Sequence, residues 1–346
     1  MTTIATARRH PLNRAARIVG FAVVGVVIYA FVLWVALQQA WLTGSAALDS
    51  GHALGVAIQQ TINALSIGAI YALIALGYTM VYGIIELINF AHGDVFMVGA
   101  FLSIAVTAGI FSQVPGSDIT NIPFLILVLA VALLLVMPAT GLLNMAIERV
   151  FYRPFRGGNR LAPLITAVGV SFILQNLALV FVGSGDRAAP QVFPLNWNIP
   201  VGEAKISVLS IFIFFLAVGL MLALNLFVTR TRLGRAMRAT AQDQQAASLM
   251  GVDLNQTIAL TFLLGGALAG AAGVVWGLRF GFVRQDLGFN AGLKAFTSAV
   301  LGGIGNITGA VIGGFVIGFV QNFASSHGQS RWGEFLVFTI LTLVLV

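Results

Sequence analysis

The sequence predicts an all-α membrane protein, a polytopic bundle of about eight to ten transmembrane helices. Three observations carry that reading. Hydrophobic residues make up 59% of the chain and charged ones only 8%, whereas a soluble domain carries about a quarter charged; the charges are too few to cover a water-facing surface. Apolar runs of ~20 residues, each long enough to cross a bilayer as a helix, recur along the whole length. The polar breaks between them are short, and none has room for a soluble domain.

Taken in order, the first element follows a basic segment: Arg8, Arg9, Arg14 and Arg17 precede an apolar run over 18–41. The run is too long for the h-region of a signal peptide and lacks a suitably placed small-residue cleavage site, so it predicts an uncleaved membrane helix. Residues 1–54 then form a basic N-terminus plus a first transmembrane helix, and 55–346 form the main transmembrane domain. Further spans are predicted over 55–83, 94–111, 123–147, 162–182, 207–229 and 257–277. The region 292–323 holds a short apolar piece, a glycine cluster and a full run, and a last run begins near Phe335. The sequence ends at LTLVLV inside that run, so the natural chain is expected to continue into a polar tail.

Arginine placement orients the spans. Arg149, Arg153, Arg156 and Arg160 crowd one loop, and Arg230, Arg232, Arg235 and Arg238 crowd another. With the N-terminal group they mark three cytoplasmic segments by the positive-inside rule, and the predicted crossings alternate accordingly. The loops near Asp49, near Asp118 and from Asp186 to Lys205 are nearly neutral and read as external. The net charge of +7 is therefore a topology signal and does not point to nucleic acid. The absence of cysteine excludes disulfides, zinc–thiolate sites and iron–sulfur clusters. Four scattered histidines make no metal set, and no nucleophile–base set is visible, so no catalytic residue is assigned.

Two glycine patterns predict close helix packing. Gly265, Ala269, Gly273 and Gly277 recur every four residues; Gly305, Gly309 and Gly313 do the same, with Gly314 and Gly318 in a neighbouring row. Small residues so spaced let helix backbones approach where lipid supplies no drive for association.

From Thr229 to Gln256 the composition shifts to Ala, Gln, Met, Leu and Arg, good helix formers. A single short amphipathic helix over 238–253 is predicted in a cytoplasmic loop 230–256, stopped by Gly251, with Asp253 or Asn255 capping the next span. The stretch INFAHGD, Ile88 to Asp94, places Asn89, His92 and Asp94 between two long apolar runs. Two readings compete. A broken or re-entrant element from Glu86 to Val95 would hold polar groups at membrane depth, where non-helical backbone survives only if protein or trapped water satisfies it. Alternatively, the stretch is an ordinary cytoplasmic turn with Asp94 as a helix cap. Lys294 either snorkels to an interface or meets a substrate carboxylate, and Asn63, Ser66, Thr79, Gln175 and Asn176 are scattered polar groups in otherwise aliphatic spans. Arg279, Arg284 and Asp286 mark an external loop.

Gln245-Ala246-Ala247, followed after three residues by Gly251, resembles the EAA…G signature of bacterial ABC importer permeases, with Gln in place of Glu. YALIALGYTMVYGIIELINFAHGDVFMVGAF from Tyr71, ASLMGVDLNQTIALTF and KAFTSAVLGGIGNITGAVIGG from Lys294 resemble the permeases of branched-chain amino acid ABC importers, the LivH type, and the likeness covers roughly 55–346. The resemblance implies a type II-like importer permease in the bacterial inner membrane, multi-pass, with its N-terminus in the cytoplasm. It implies alternating access for leucine, isoleucine or valine, powered by two ATP-binding subunits that hold ATP and Mg, beside a sister permease and an extracytoplasmic substrate-binding protein. Arg238, Asp243, Gln245, Ala246, Ala247 and Gly251 would couple to the ATPases; Asn89, His92, Asp94, Asn63 and Lys294 would belong to the translocation path. An ATP-driven importer needs no proton step, so His92 is expected to be a hydrogen-bonded structural residue. The Arg284 loop would meet the binding protein. The chain has no G-x-x-x-x-G-K-[ST] phosphate loop of its own, in keeping with that division, and no cofactor is assigned to it. Urea, short amides or other amino acids are alternative cargoes, and a stand-alone channel or ion-coupled carrier is the competing class.

Overall fold

The computed structural model describes residues 50–85, 89–113, 122–156, 161–194, 197–202, 204–326 and 330–345. The basic N-terminus, the predicted helix over 18–41, Asp49, Glu86, Asp118 and Arg160 lie outside the described residues. The chain divides into two compact units, Met1–Gln60 with Pro200–Lys205, and Thr61–Ile199 with Ile206–Val346. In the smaller unit the Lys205 backbone N–H donates to Gln59 Oε1 at 2.9 Å. The contacts described below all lie within the larger unit.

The helices are α1 (Ser50–Ile85), α2 (Ala91–Gln113), α3 (Ile122–Ile147), α4 (Leu161–Val182), α5 (Val208–Arg230), α6 (Arg232–Gln242), α7 (Gln244–Leu249), α8 (Leu254–Phe280), α9 (Leu287–Leu301), α10 (Ile307–Ser326) and α11 (Ser330–Leu345). Seven of them are long and apolar enough to cross a membrane: α1 to α5, α8 and α10. Short strands β1 (Arg187–Ala188), β2 (Asn198–Val201) and β3 (Ala204–Ser207) separate α4 from α5, and β4 (Phe282–Val283) follows α8. β1 and β4 pair antiparallel, Arg187 opposite Val283, which puts the ends of α4 and α8 together. At the other end of the bundle Arg156 Nη1 donates to Asn255 Oδ1 at 3.2 Å, joining the end of α3 to the start of α8. The arginines of 149–156 and 230–238 gather there, and it is called the basic end below.

Helices dominate because a bilayer offers the backbone no hydrogen-bond partner, so each segment must bond to itself. Which helices sit inside follows from side-chain size. In α1 and α8, built around Ala and Gly, 89% and 72% of the most apolar window is buried; in α3, α4 and α5, rich in exposed Leu, Ile and Phe, the share is 28%, 28% and 22%. The predicted glycine rows are contacts where they lie in helices; Gly305 does not, standing in the turn before α10 at φ +86° with nothing near its Cβ position. On α8, Gly265 lies against Gly77 of α1, and a side chain at Gly273 would meet the Gly99–Ala100 backbone of α2. On α10 the two rows serve two neighbours: Gly309 and Gly313 face Gly302 and Ser298 of the α9 hairpin, whereas Gly314 and Gly318 face Ala72 and Gly68 of α1. Tyr71 Oη completes the α1–α10 seam, donating to Gln321 Oε1 at 2.6 Å.

The segment 238–253 differs from its predicted form. In place of one helix there are two, broken at Asp243, whose extended backbone (φ −160°) lets its carboxylate accept the Ala246 N–H at 2.9 Å. An Asp able to cap a new helix competes with continuing the old one. Gly251 ends α7 with φ +84°, and Asp253 caps α8 by accepting the Gln256 N–H at 3.1 Å.

Candidate functional site

The stretch from Asn89 to Asp94 sits inside the bundle. α1 ends at Ile85; Asn89–Phe90 form a turn with His92 N–H bonded to the Asn89 carbonyl at 3.1 Å, and α2 begins at Ala91. Its depth can be read from its neighbours. The His92 ring lies against Gly77, which also packs on Gly265; Gly265 stands eleven residues, about 16 Å, into α8. Asp94 bonds Ser171, ten residues, about 15 Å, into α4. α4 and α8 are 22 and 27 residues long, so α2 begins about half-way along the helices it packs against.

Three buried side chains hold the turn. Tyr152 Oη donates to Asn89 Oδ1 at 2.7 Å, Asn89 Nδ2 approaches Asn144 Oδ1 at 3.5 Å, and Asn144 Nδ2 donates to the Phe262 carbonyl at 2.6 Å. Tyr152 reaches inward because α3 continues into a π turn, Glu148–Tyr152, which widens the helix and re-aims its side chains; such turns concentrate at functional sites. Glu148, 1% exposed, is ion-paired there with Arg156. Asn89 therefore spends its side chain on α3 and does not cap a helix.

Asp94 is no cap either. It is fully buried, Oδ2 accepts from Ser171 Oγ at 2.5 Å, Gln175 Nε2 supports that serine at 3.1 Å, and Oδ1 has no partner. The carboxylate is drawn inward because α9 crosses it: a Cβ on Gly288 would stand 2.7 Å from Asp94 Cα, and one on Gly292 would stand 2.9 Å from Gly93 Cα. Phe296, one turn further along α9, meets Tyr78 at 5.9 Å and Phe90 at 6.3 Å between ring centroids. α9 is 15 residues long, about 22 Å, too short to span. The His92 ring is fully buried, edge-on to Tyr78 at 4.7 Å. Its nitrogens find at most the Ile74 carbonyl, and neither makes a hydrogen bond of good geometry; the satisfied structural histidine expected from sequence is not what the structure holds.

Of the other path candidates, Asn63 stands apart, whereas Lys294 lies on α9 between Gly292 and Phe296 with its ammonium turned to α11. Asn63 lies fourteen residues before Gly77, about 21 Å along α1, with its Oδ1 accepting from Arg279 at 3.3 Å. Lys294, 7% exposed, pairs with Glu334 of α11 at 3.6 Å. Arg284 is bonded to Asp286 at 2.6 and 2.9 Å, and that hydrogen bond raises its pKa.

At the basic end, the Arg238 guanidinium donates back to the Val228 carbonyl of α5. Asp243, Gln245, Ala246 and Gly251 are exposed, whereas Ala247 is buried. Leu249 and Met250, 87% and 84% exposed, form an apolar tip. Gln244 Nε2 donates to the Ile84 carbonyl at 3.1 Å, tying α7 to the last turn of α1. The sequence reading passed over Gln244, Leu249, Met250, Asn144, Glu148 and Tyr152. Asn144 and Glu148, one turn apart at the end of an apolar run, carried a detectable signal. No group of three His, Cys, Asp or Glu side chains that could hold a metal occurs among the described residues.

Membrane-length helices packed through glycine, with a buried polar layer inside the bundle and a helical elbow tied to α1, define a multi-pass helical membrane protein. The chain belongs to the family described as branched-chain amino acid transport system / permease component, which it matches over residues 60–345. It is 44% identical over 295 residues to the high-affinity branched-chain amino acid transport system permease protein BraD of Pseudomonas aeruginosa, covering 84% of this chain and 93% of that one. It is 42% identical over 292 residues to the corresponding LivH of Escherichia coli, covering 84% and 92%. The autoinducer 2 import system permease protein LsrC of Klebsiella pneumoniae is 38% identical over 95 residues, 28% of each chain. No solved structure matches the chain.

Proposed function

We propose that this chain conducts leucine, isoleucine and valine across the bacterial inner membrane by alternating access, as one permease subunit of an ATP-driven ABC importer. The observation that carries the reading is the 41–44% identity, over 84% of the chain, to permease proteins whose names specify branched-chain amino acids. Two ATP-binding subunits, holding ATP and Mg, act from the cytoplasm on the loop 230–256; a sister permease completes the path and an extracytoplasmic binding protein delivers the cargo. The basic end faces the cytoplasm, supported by the arginines of 149–156 and 230–238, and so does the N-terminus. Residues 1–54 form a basic segment with a first helix ahead of the permease domain.

Arg238, Asp243, Gln245, Ala246, Ala247 and Gly251 shape the coupling elbow, with Leu249 and Met250 as the surface the ATPase covers. Motion of α7 reaches α1 through Gln244 and Ile84, and so acts on the turn at Asn89–Asp94. Of the proposed path residues, Asn89, His92 and Asp94 form the central layer; Lys294 acts at its level from α9, and Asn63 acts nearer the far end of α1.

The test is uptake by proteoliposomes holding the permease pair, the ATPases and the binding protein. ATP-dependent accumulation of labelled leucine, competed by isoleucine and valine and not by urea or acetamide, is expected. Accumulation of urea or amides instead would replace the cargo. Uptake by this chain alone, without ATPases, would overturn the class.

A further inference from the structure

A cavity of about 80 Å³ opens at the basic end, on α1 just beyond the Tyr78 that packs on His92. Its walls are the last turns of α1 (Thr79, Met80), the end of α5 (Val228), α6 (Met237, Arg238) and the first residue of α10 (Ile307). The space admits about five to eight water-sized groups, the size of a short branched aliphatic acid. All of the lining is apolar except Thr79 and Arg238.

Those two exceptions carry unspent donors. The six other buried threonines among the described residues, such as Thr140 and Thr261, each donate to the carbonyl four residues back. Thr79 is 2% exposed, and its hydroxyl has no partner. Buried hydroxyls without partners are uncommon in native proteins; the Thr79 oxygen has almost no accessible surface of its own, so it reaches an occupant of the cavity only by turning about χ1. Arg238 places one guanidinium nitrogen on the Val228 carbonyl, leaving donors on a planar fork whose geometry matches a carboxylate. The N-terminus of the 20-residue α10 ends in the same wall, and its dipole favours an anion. No acidic residue lines the cavity, so an ammonium group finds no partner there.

We propose that this cavity binds a short branched aliphatic carboxylate from the ATPase side. The carboxylate sits on Arg238 and the start of α10, with the Thr79 hydroxyl as a further donor once its side chain turns toward the space, and the tail lies among Met80, Val228, Met237 and Ile307. The lack of an acidic lining favours a 2-oxo acid, the product class of transamination, over an amino acid. An occupant bridges α6 to α1 and α10, and so resists the movement of the coupling elbow. This regulatory role rests on the proposed function; the binding itself does not.

Binding is measured by isothermal titration of the nucleotide-free complex, with its ATPases, in lipid nanodiscs. The probes are 2-oxoisovalerate, valine and isobutylamine. Saturable binding of 2-oxoisovalerate is expected, with none of isobutylamine. Thr79→Val, which removes a donor to a charged group, should weaken it by roughly tenfold. Ala241 also lines the cavity from α6, and Ala241→Leu, which fills the space, should abolish it; the melting of each variant complex reports that it is folded. Valine binding with the same sensitivity would support the shared carboxylate chemistry and name the cargo itself as its source. Absence of saturable binding by both acids, equal binding of isobutylamine, or binding that neither folded variant alters would overturn the proposal. Because no uptake is measured, a different cargo for the importer would leave these outcomes readable.

Discussion

Asn89 and Asp94 hold the same kind of position by different means. Asn89 is satisfied by Tyr152 and Asn144, whereas Asp94 keeps one oxygen unpartnered. Removing the tyrosine hydroxyl leaves the buried Asn89 carbonyl oxygen without its donor. Tyr152→Phe should therefore cost about 1–3 kcal/mol, read as a lower thermal unfolding midpoint of the purified subunit in detergent; an unchanged midpoint would mean that the bond carries no stability. Close approach is the second requirement at this scale. Gly288→Ala puts a methyl 2.7 Å from the Asp94 Cα, and backbone must move to admit it, at about 1–3 kcal/mol. Gly109→Ala meets nothing within 4 Å and should stabilise α2 by up to about 1 kcal/mol. The same melting assay ranks the pair. The polar character of Asn89, His92 and Asp94 was legible in the sequence, since each interrupts an apolar run. Their depth was not, because it is set by partners 55, 63 and 77 residues away in the chain.

The elbow α6–α7 shows what local sequence carries at the scale of elements. Helix-forming composition and the arginine cluster marked its place, and Gly251 marked its end. The break at Asp243 was hidden among good helix formers, although an Asp three residues before Ala246 is an ordinary cap position. The Gly251 conformation argues its own test: at φ +84° a Cβ costs about 1–2 kcal/mol, so Gly251→Ala should loosen the α7–α8 turn and raise its protease sensitivity without altering the melting of the transmembrane core. Gln244 matters for transmission. Its bond to the Ile84 carbonyl is a single neutral hydrogen bond worth about 1 kcal/mol, which corresponds to a several-fold change in an equilibrium. Gln244→Ala should lower leucine uptake per ATP hydrolysed several-fold while ATPase turnover of the assembled complex persists. Equal losses in both would place Gln244 in subunit assembly and not in coupling.

Across the whole molecule, the pattern most fully visible beforehand was the glycine spacing. Rows of period four are one helix face, and the two rows on α10 proved to face two different helices. Side-chain size alone decides that contact, so a linear sequence can encode it. The fate of α9 was less visible, because a short apolar helix reads alike whether it crosses, re-enters or lies against a neighbour. Sidedness is encoded by arginine, and the chain's lack of cysteine makes it open to a clean measurement. Single cysteines at Ser248 and at Asp186 occupy exposed positions near opposite ends of the larger unit, beside α7 and β1. With a membrane-impermeant maleimide, Asp186→Cys should label in intact right-side-out vesicles and Ser248→Cys only in inverted ones. The reverse pattern would place the apolar tip of α7 outside the cell, where no ATP-binding subunit can reach it. The coupling reading, and with it the role of the cavity above the elbow, would then fail whatever the cargo.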